Sequence, residues 1–347
     1  MSGAPILDWS PPPFRPRRGL TNGHVMTVVA WARPRAFPDL PVPTARLFPV
    51  APGTQVLAHC YWQRDRDMRP TLLALHGLEG SSAVHYMRGL AARAWRRGWN
   101  AVALNQRNCG GTEHLTPGLY HSGLTADPVA VLDELHRRDG LRSFVVAGYS
   151  LGGNLAIRIA GELDQHPDLP VCAVAAVCPT LDLERCVHAL ERRRNLAYQF
   201  NFVRNLRGRM RRKVRAWPGA FDLTPLRSTW TIRQFDEVYT APHHGFAGAR
   251  DYYHRASALR VADRIRIPAL ILAAADDPFV PPEQFRDEVI RANPWITVRI
   301  EPFGGHCGLI GDANGSSDGY WAEDAVASFL AEALRHGARS RDGASSL

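Results

Sequence analysis

Three residues that together can attack a carbonyl carbon stand out in this sequence. Ser150 lies in Gly148-Tyr149-Ser150-Leu151-Gly152-Gly153-Asn154, directly after an apolar run at 144–147. A serine on a sharp strand-to-helix turn leaves no room for side chains two positions to either side, and glycine supplies that room. The helix that follows then points its unpaired N–H groups toward charge developing beside the hydroxyl. Such a hydroxyl needs a base, and the base needs an orienting acid. His306 sits in Phe303-Gly304-Gly305-His306-Cys307-Gly308, a glycine-rich loop after a strand-like run that can carry an imidazole back over a sheet. Upstream, the run at 269–275 ends in Asp276-Asp277-Pro278-Phe279-Val280-Pro281. Asp277, next to the proline turn, is the expected acid, with Asp276 as the alternative.

These residues occur in the order serine, acid, histidine, which is the order of the α/β-hydrolase fold. Of fourteen histidines only His306 and His336 follow the acidic turn, and His336 ends a helical pattern where a histidine suits the helix dipole. Attack by a serine creates an oxyanion that requires two fixed donors. The N–H of Leu151 is one. The N–H of Leu78 is the expected second, in His76-Gly77-Leu78-Glu79-Gly80 after the run at 71–75. Glu79 reads first as an exposed loop acid or a salt-bridge partner, with a functional carboxylate as the alternative, and Tyr120-His121-Ser122-Gly123 as a structural turn packing near the sheet edge, with a chemical role for His121 as the minority reading.

The elements that must position these groups alternate in type. Apolar runs of strand character cover 71–75, 101–104, 144–147, 171–177, 269–275 and 296–300. Helical patterns cover 83–97, 125–138, 151–163, 282–292 and 321–335. Runs this apolar imply strands covered on both faces, hence a mostly parallel sheet between helices. Segments 44–50 and 55–62 read as an antiparallel pair ahead of it. The stretch 184–263 is helical in character and interrupts the alternation, so it reads as an inserted cap over a core made of 44–183 and 264–337. Residues 1–43 read as an irregular extension packing on that core, and 338–347 as a flexible tail.

Composition restricts the function classes. The 347 residues are 45% hydrophobic, enough for a large core, and contain no apolar run of membrane-spanning length. The start lacks a signal-peptide core, so the cytosol is the expected compartment. None of the six cysteines forms a CxxC pair, and neither a metal nor a cofactor is expected. The formal charge is +9, and Arg192–Arg215 holds ten Lys or Arg and no acid. Tyr198, Phe202, Leu206, Met210 and Val214 recur there every four residues, the pattern of a helix with one apolar stripe. Packing of that stripe on the core is the first expectation; peripheral contact of this basic helix with an anionic membrane is the second. No nucleic-acid module accompanies the charge, and the sequence sets no oligomeric state.

Taken together, the chain resembles the YheT-like branch of the α/β-hydrolases, whose relatives include membrane-associated lipases and medium-chain ester synthases. The resemblance rests on Asn22-Gly23-His24, HGLEGS at 76–81, NQRNCGG at 105–111, YHSG at 120–123, GYSLGGN at 148–154, segments at 235–257, DDPF at 276–279 and GGH at 304–306. It implies a Ser150–Asp277–His306 triad and hydrolysis of carboxylic esters, short- to medium-chain acyl esters or monoacylglycerols. The same residues would serve an alcohol acyltransferase, while a non-catalytic receptor would need none of them. Where the family usually has Gln-Thr after its first histidine, this chain has Met26-Thr27.

Overall fold

A computed structural model describes residues 7–313 and 317–344, with side chains to 337. Eight strands form one sheet: β1 (Thr44–Ala51), β2 (Thr54–Tyr61), β3 (Thr71–Leu75), β4 (Asn100–Leu104), β5 (Phe144–Tyr149), β6 (Val171–Val177), β7 (Ala269–Ala274) and β8 (Ile296–Glu301). Their order is β1-β2-β4-β3-β5-β6-β7-β8. β1 and β2 pair antiparallel, β2 joins β4 antiparallel, and β4 through β8 run parallel. The central strands β3, β4, β5 and β7 are buried at every position, which is why they read as unbroken apolar runs.

The helices are α1 (Gly23–Ala32), α2 (His85–Arg96), α3 (Ala126–Arg137), α4 (Leu151–Gly161), α5 (Leu183–Leu190), α6 (Leu196–Ala216), α7 (Ile232–Phe235), α8 (Ala241–His243), α9 (Ala249–Ala256), α10 (Glu288–Arg291) and α11 (Trp321–Ala344). One apolar cluster on one face of the sheet contains Leu155, Ile159 and Leu132; a second, on the other face, contains Met87, Leu90, Val326 and Phe329. Between β6 and β7 the chain runs through α5 to α9, with a 3-10 segment, Thr224–Ser228, between α6 and α7 and a π-helical stretch, Asp236–Thr240, between α7 and α8. No described helix is long and apolar enough to cross a membrane.

Two expectations at the chain ends need correction. Residues 1–43 are not irregular throughout, because Asn22 accepts a hydrogen bond from the Val25 N–H at 3.1 Å and opens α1. The expected tail at 338–347 is largely helical, since α11 continues to Ala344; residues 345–347 lie outside the described residues. The helical pattern at 282–292 resolves into a 3-10 turn, Pro282–Arg286, followed by the short α10.

Buried charge ties α11 to α2. Glu323, 1% exposed at its side chain, lies between Arg35 and Arg93, and both arginines also reach Asp318. Burial alone would raise Asp318, but Arg93 and Arg35 outweigh it and hold the carboxyl down at about 2. This contribution to stability is present above the unfolded carboxylate pKa and is lost as pH falls through the interval from about 4 to about 2.

Candidate active site

Ser150 stands between β5 and α4 with φ 53° and ψ −117°, a left-handed backbone uncommon for a residue with a Cβ. The flanking glycines are demanded by contact. A Cβ on Gly148 would lie 2.0 Å from the Gly152 carbonyl oxygen, and one on Gly152 would lie 2.3 Å from that of Leu75. The Ser150 N–H donates to the Val177 carbonyl at 2.9 Å, which fixes the turn against the end of β6. At the N-terminus of an eleven-residue helix, the serine occupies the place where developing negative charge is favoured.

His306 Nδ1 lies 2.8 Å from Asp277 Oδ2. The other Asp277 oxygen accepts the N–H groups of Phe279 at 3.0 Å and Val280 at 2.9 Å, so the carboxylate is held at both ends. Its side chain is 1% exposed and that of His306 11%. The Phe279 ring packs on the imidazole with centroids 4.1 Å apart. Asp276 has different work: its Oδ1 accepts the Gly305 N–H at 2.8 Å and shapes the loop without touching the imidazole ring. The loop is also tied to α1, where Thr27 Oγ1 accepts the His306 N–H at 2.8 Å and donates to the Gly23 carbonyl. On its far side, Cys307 Sγ approaches the same Val177 carbonyl that receives Ser150 N–H, at 3.7 Å. Serine and histidine loops are thus anchored on one backbone carbonyl.

The loop His76–Gly80 lies directly over the serine. A Cβ on Gly77 would come within 3.3 Å of Ser150 Cβ. His76 is buried and shapes the turn: Nε2 accepts the Gln106 N–H at 3.1 Å, which leaves Nδ1–H to donate to the Gly77 carbonyl at 2.7 Å. Burial lowers its pKa to about 4, so it is neutral at physiological pH.

A cleft of about 720 Å³, its open mouth included, runs from Ser150 between Leu78 and Leu151 into α5, α6 and α7. Its walls are mainly apolar, with Leu183, Val187, Leu190, Phe202, Leu206 and Phe235 among them. His121 also lines it, with its ring 4.4 Å from that of His244. Burial, followed by the neighbouring His244, pushes His121 well below the ordinary histidine range. YHSG is therefore more than a turn at the sheet edge, though Ser122 does serve as one: its N–H donates to Tyr252 and its carbonyl accepts from Asn154. Sequence reasoning missed His121 as a wall residue because its partners come from 244–252.

Deeper in the cleft, Asp236 accepts the Tyr253 hydroxyl at 2.8 Å, and burial raises its carboxyl to about 6. A folded-state pKa above the unfolded value favours the folded state when the group is protonated, so stability from this residue falls as pH rises from about 4 to about 6. Asp236→Asn removes that titration. The expected result is that wild type loses urea stability relative to the variant across this interval; parallel curves would exclude the raised carboxyl.

The basic helix packs its apolar stripe inward, the first of the two expectations, but not all of its cations face water. Leu206 and Met210 of the stripe are buried, Tyr198 and Phe202 partly so, and Arg209 and Lys213 are buried with them. Arg209 pairs with Glu79, so Glu79 is a largely buried salt-bridge partner and not an exposed loop acid. Lys213 donates to Asn108 Oδ1 at 2.7 Å and to the carbonyls of Glu113 and Thr116. Burial, then Arg209, lowers Lys213 to about 8. Arg209 and Lys213 are therefore structural anchors, and Arg212 adds a third tie through Glu113 Oε1 at 2.6 Å.

Cys178, His306 and Cys307 present ligand-type atoms within 4.8 Å of one another. Burial holds the Cys307 thiol well above its ordinary range, opposing the thiolate that a metal requires. His306 is already engaged by Asp277, and no metal is assigned to these residues.

A strained serine between β5 and α4, a histidine–carboxylate pair at the ends of β7 and β8, and a mostly parallel sheet define a hydrolase fold. Residues 70–313 match the α/β-hydrolase fold family, and the chain belongs to that family. It is 35% identical over 319 residues to YheT of Escherichia coli (strain K12), provisionally named an esterase, covering 86% of this chain and 87% of YheT. It is 29% identical to a monoacylglycerol lipase of Saccharomyces cerevisiae, over 83% of this chain and 66% of the lipase. Among solved structures, the esterase Pf2001 of Pyrococcus furiosus superposes with a TM-score of 0.57 at 17% identity, covering 86% of this chain and 95% of that one, a likeness of fold.

Proposed function

We propose that this protein is a serine hydrolase of carboxylic esters that works through an acyl-enzyme on Ser150. The observation that carries the reading is the 2.8 Å contact of His306 Nδ1 with a doubly held Asp277, on a loop anchored to the carbonyl that fixes Ser150. Nδ1–H donates to Asp277, which leaves Nε2 free to accept a proton. His306 takes the Ser150 proton as Oγ attacks the ester carbonyl, and the Leu78 and Leu151 N–H groups receive the oxyanion. The proton passes to the leaving alcohol. Water then attacks the acyl-enzyme with His306 again as base, and the acid departs. We read 184–263 as a cap on a core of 44–183 and 264–337. The apolar cleft beneath it suits the acyl chains of short- to medium-chain esters or monoacylglycerols; that the E. coli and yeast relatives are named esterase and lipase supports this class.

The test is fluorophosphonate labelling followed by turnover of p-nitrophenyl esters of graded chain length, with and without ethanol. Labelling at Ser150 with release of free acid is expected; ethyl ester as the main product would make the protein an acyltransferase, and absence of both labelling and turnover would overturn the reading.

We also propose that the outer face of α6 contacts anionic membrane. Leu196 and Phe200 are exposed there, in company with Arg193, Arg194, Arg204 and Arg211. Each surface arginine contributes about 1 kcal/mol at most and is screened beyond about 8 Å at physiological ionic strength. Sedimentation with vesicles should require anionic lipid, weaken at high salt, and fall when these four arginines become glutamine. Equal, negligible sedimentation in every condition would leave this face simply in water.

A further inference from the structure

We propose that Arg209 is a positioning residue for the oxyanion hole, reaching from α6 into the loop that carries the Leu78 N–H; this rests on the serine-hydrolase reading. Arg209 lies midway along a 21-residue helix, with its side chain 3% exposed and Nη1 2.6 Å from Glu79 Oε1, itself on a side chain 9% exposed. Glu79 directly follows Leu78 and takes a left-handed backbone at φ 59°. That conformation is held from outside the loop. The Glu79 N–H donates to Tyr120 Oη at 3.1 Å, and the Tyr120 hydroxyl donates back to Glu79 Oε1 at 3.2 Å. The Arg209 guanidinium lies over the Tyr120 ring, 4.5 Å from its centroid. On the other side of Leu78, the Gly77 N–H donates to Tyr86 Oη at 3.1 Å and the Gly80 N–H closes onto the Gly77 carbonyl at 3.0 Å.

The Leu78 peptide is thus clamped from both directions. The downstream clamp alone depends on a residue from the interval between β6 and β7. A buried carboxylate persists as a charge only with a partner, and here the partner is Arg209. Without it, Glu79 has reason to turn toward water, and the strained backbone relaxes with it. An oxyanion donor accelerates reaction only if it is in place before the charge appears. Lys213, one turn along α6, fixes the same helix on Asn108 and on the carbonyls of Glu113 and Thr116. The seating of α6 and the readiness of the oxyanion hole are therefore one event.

The test uses the full chain, a water-soluble p-nitrophenyl ester and a trifluoromethyl ketone that mimics the tetrahedral adduct. Glu79→Gln combined with Arg209→Met removes both charges and leaves no unpaired ion. It should lower kcat about 100-fold, at the low end of the loss seen when one oxyanion donor is deleted, with KM changed less than about threefold on the premise that the donor acts in the transition state. Ketone affinity should fall with kcat. Arg209→Lys keeps the charge without the planar fork and should recover only part of the rate. Tyr120→Phe deletes a hydroxyl that makes two hydrogen bonds to Glu79, one of them to its carboxylate, and should lower kcat about 10-fold; it decides the matter should the double variant not fold. A folded double variant with kcat within threefold of wild type overturns the proposal, as does a Tyr120→Phe enzyme with unchanged kcat and ketone affinity, or a rise in KM that accounts for the whole loss. Turnover retained by Ser150→Ala would instead overturn the hydrolase reading itself.

Discussion

Ser150→Ala is expected to reduce ester turnover by about 10⁶-fold and to abolish fluorophosphonate labelling, the scale seen when a triad serine is removed elsewhere. The substitution removes one oxygen from a turn whose geometry is set by Gly148, Gly152 and the Val177 carbonyl, so the melting temperature should hardly change. His306→Ala should cost about as much, because serine and base act as a unit and the loss is not divisible between them. His336→Ala, on α11 away from the β7 and β8 ends, should leave turnover near wild type. Steady-state kinetics and gel-based labelling check all three. Full turnover in Ser150→Ala would remove the serine from the mechanism.

Asp277→Asn should lower kcat by about 10⁴-fold, the loss seen when a triad aspartate becomes an amide and the imidazole takes the wrong tautomer. An amide oxygen can still accept from Phe279 and Val280, so the turn should survive while the partner of Nδ1–H is lost. Asp276→Asn should cost about tenfold or less, since its Oδ1 meets the Gly305 N–H and no ring atom of His306. The measured ranking of the two variants decides the acid; the reverse order would transfer the role to Asp276.

Much of this site was legible because its parts obey local rules. The glycines around Ser150 are required by clashes with Gly152 and Leu75, and such demands appear in sequence as a motif. The central strands are buried on both faces, so apolar runs marked them to within two residues. α1 escaped notice because its apolar residues do not keep to one face: Met26 and Ala30 are buried while Val25, Val28 and Trp31 are exposed. Its one sequence signal is Asn22, three residues before the N–H that it caps. The role of Arg209 had no local signature, since its partners Glu79 and Tyr120 are distant in the chain. A run of cations reads as a solvated face until the acids that meet it are known. Lys213 shows the same, with partners at 108, 113 and 116.

The α1 contacts bear on how this protein can be handled and on how its limits are drawn. The match to the α/β-hydrolase family begins at residue 70, yet Gly23 sits against the Asp276 carbonyl so closely that a Cβ would come within 1.9 Å. Thr27, four residues on, holds the backbone N–H of His306. A gene fragment cut to residues 70–313 would retain Ser150, Asp277 and strands β3 to β8, but would lose β1, β2 and the wall behind the histidine loop. Residues 22–27 are thus part of the body that supports the histidine loop.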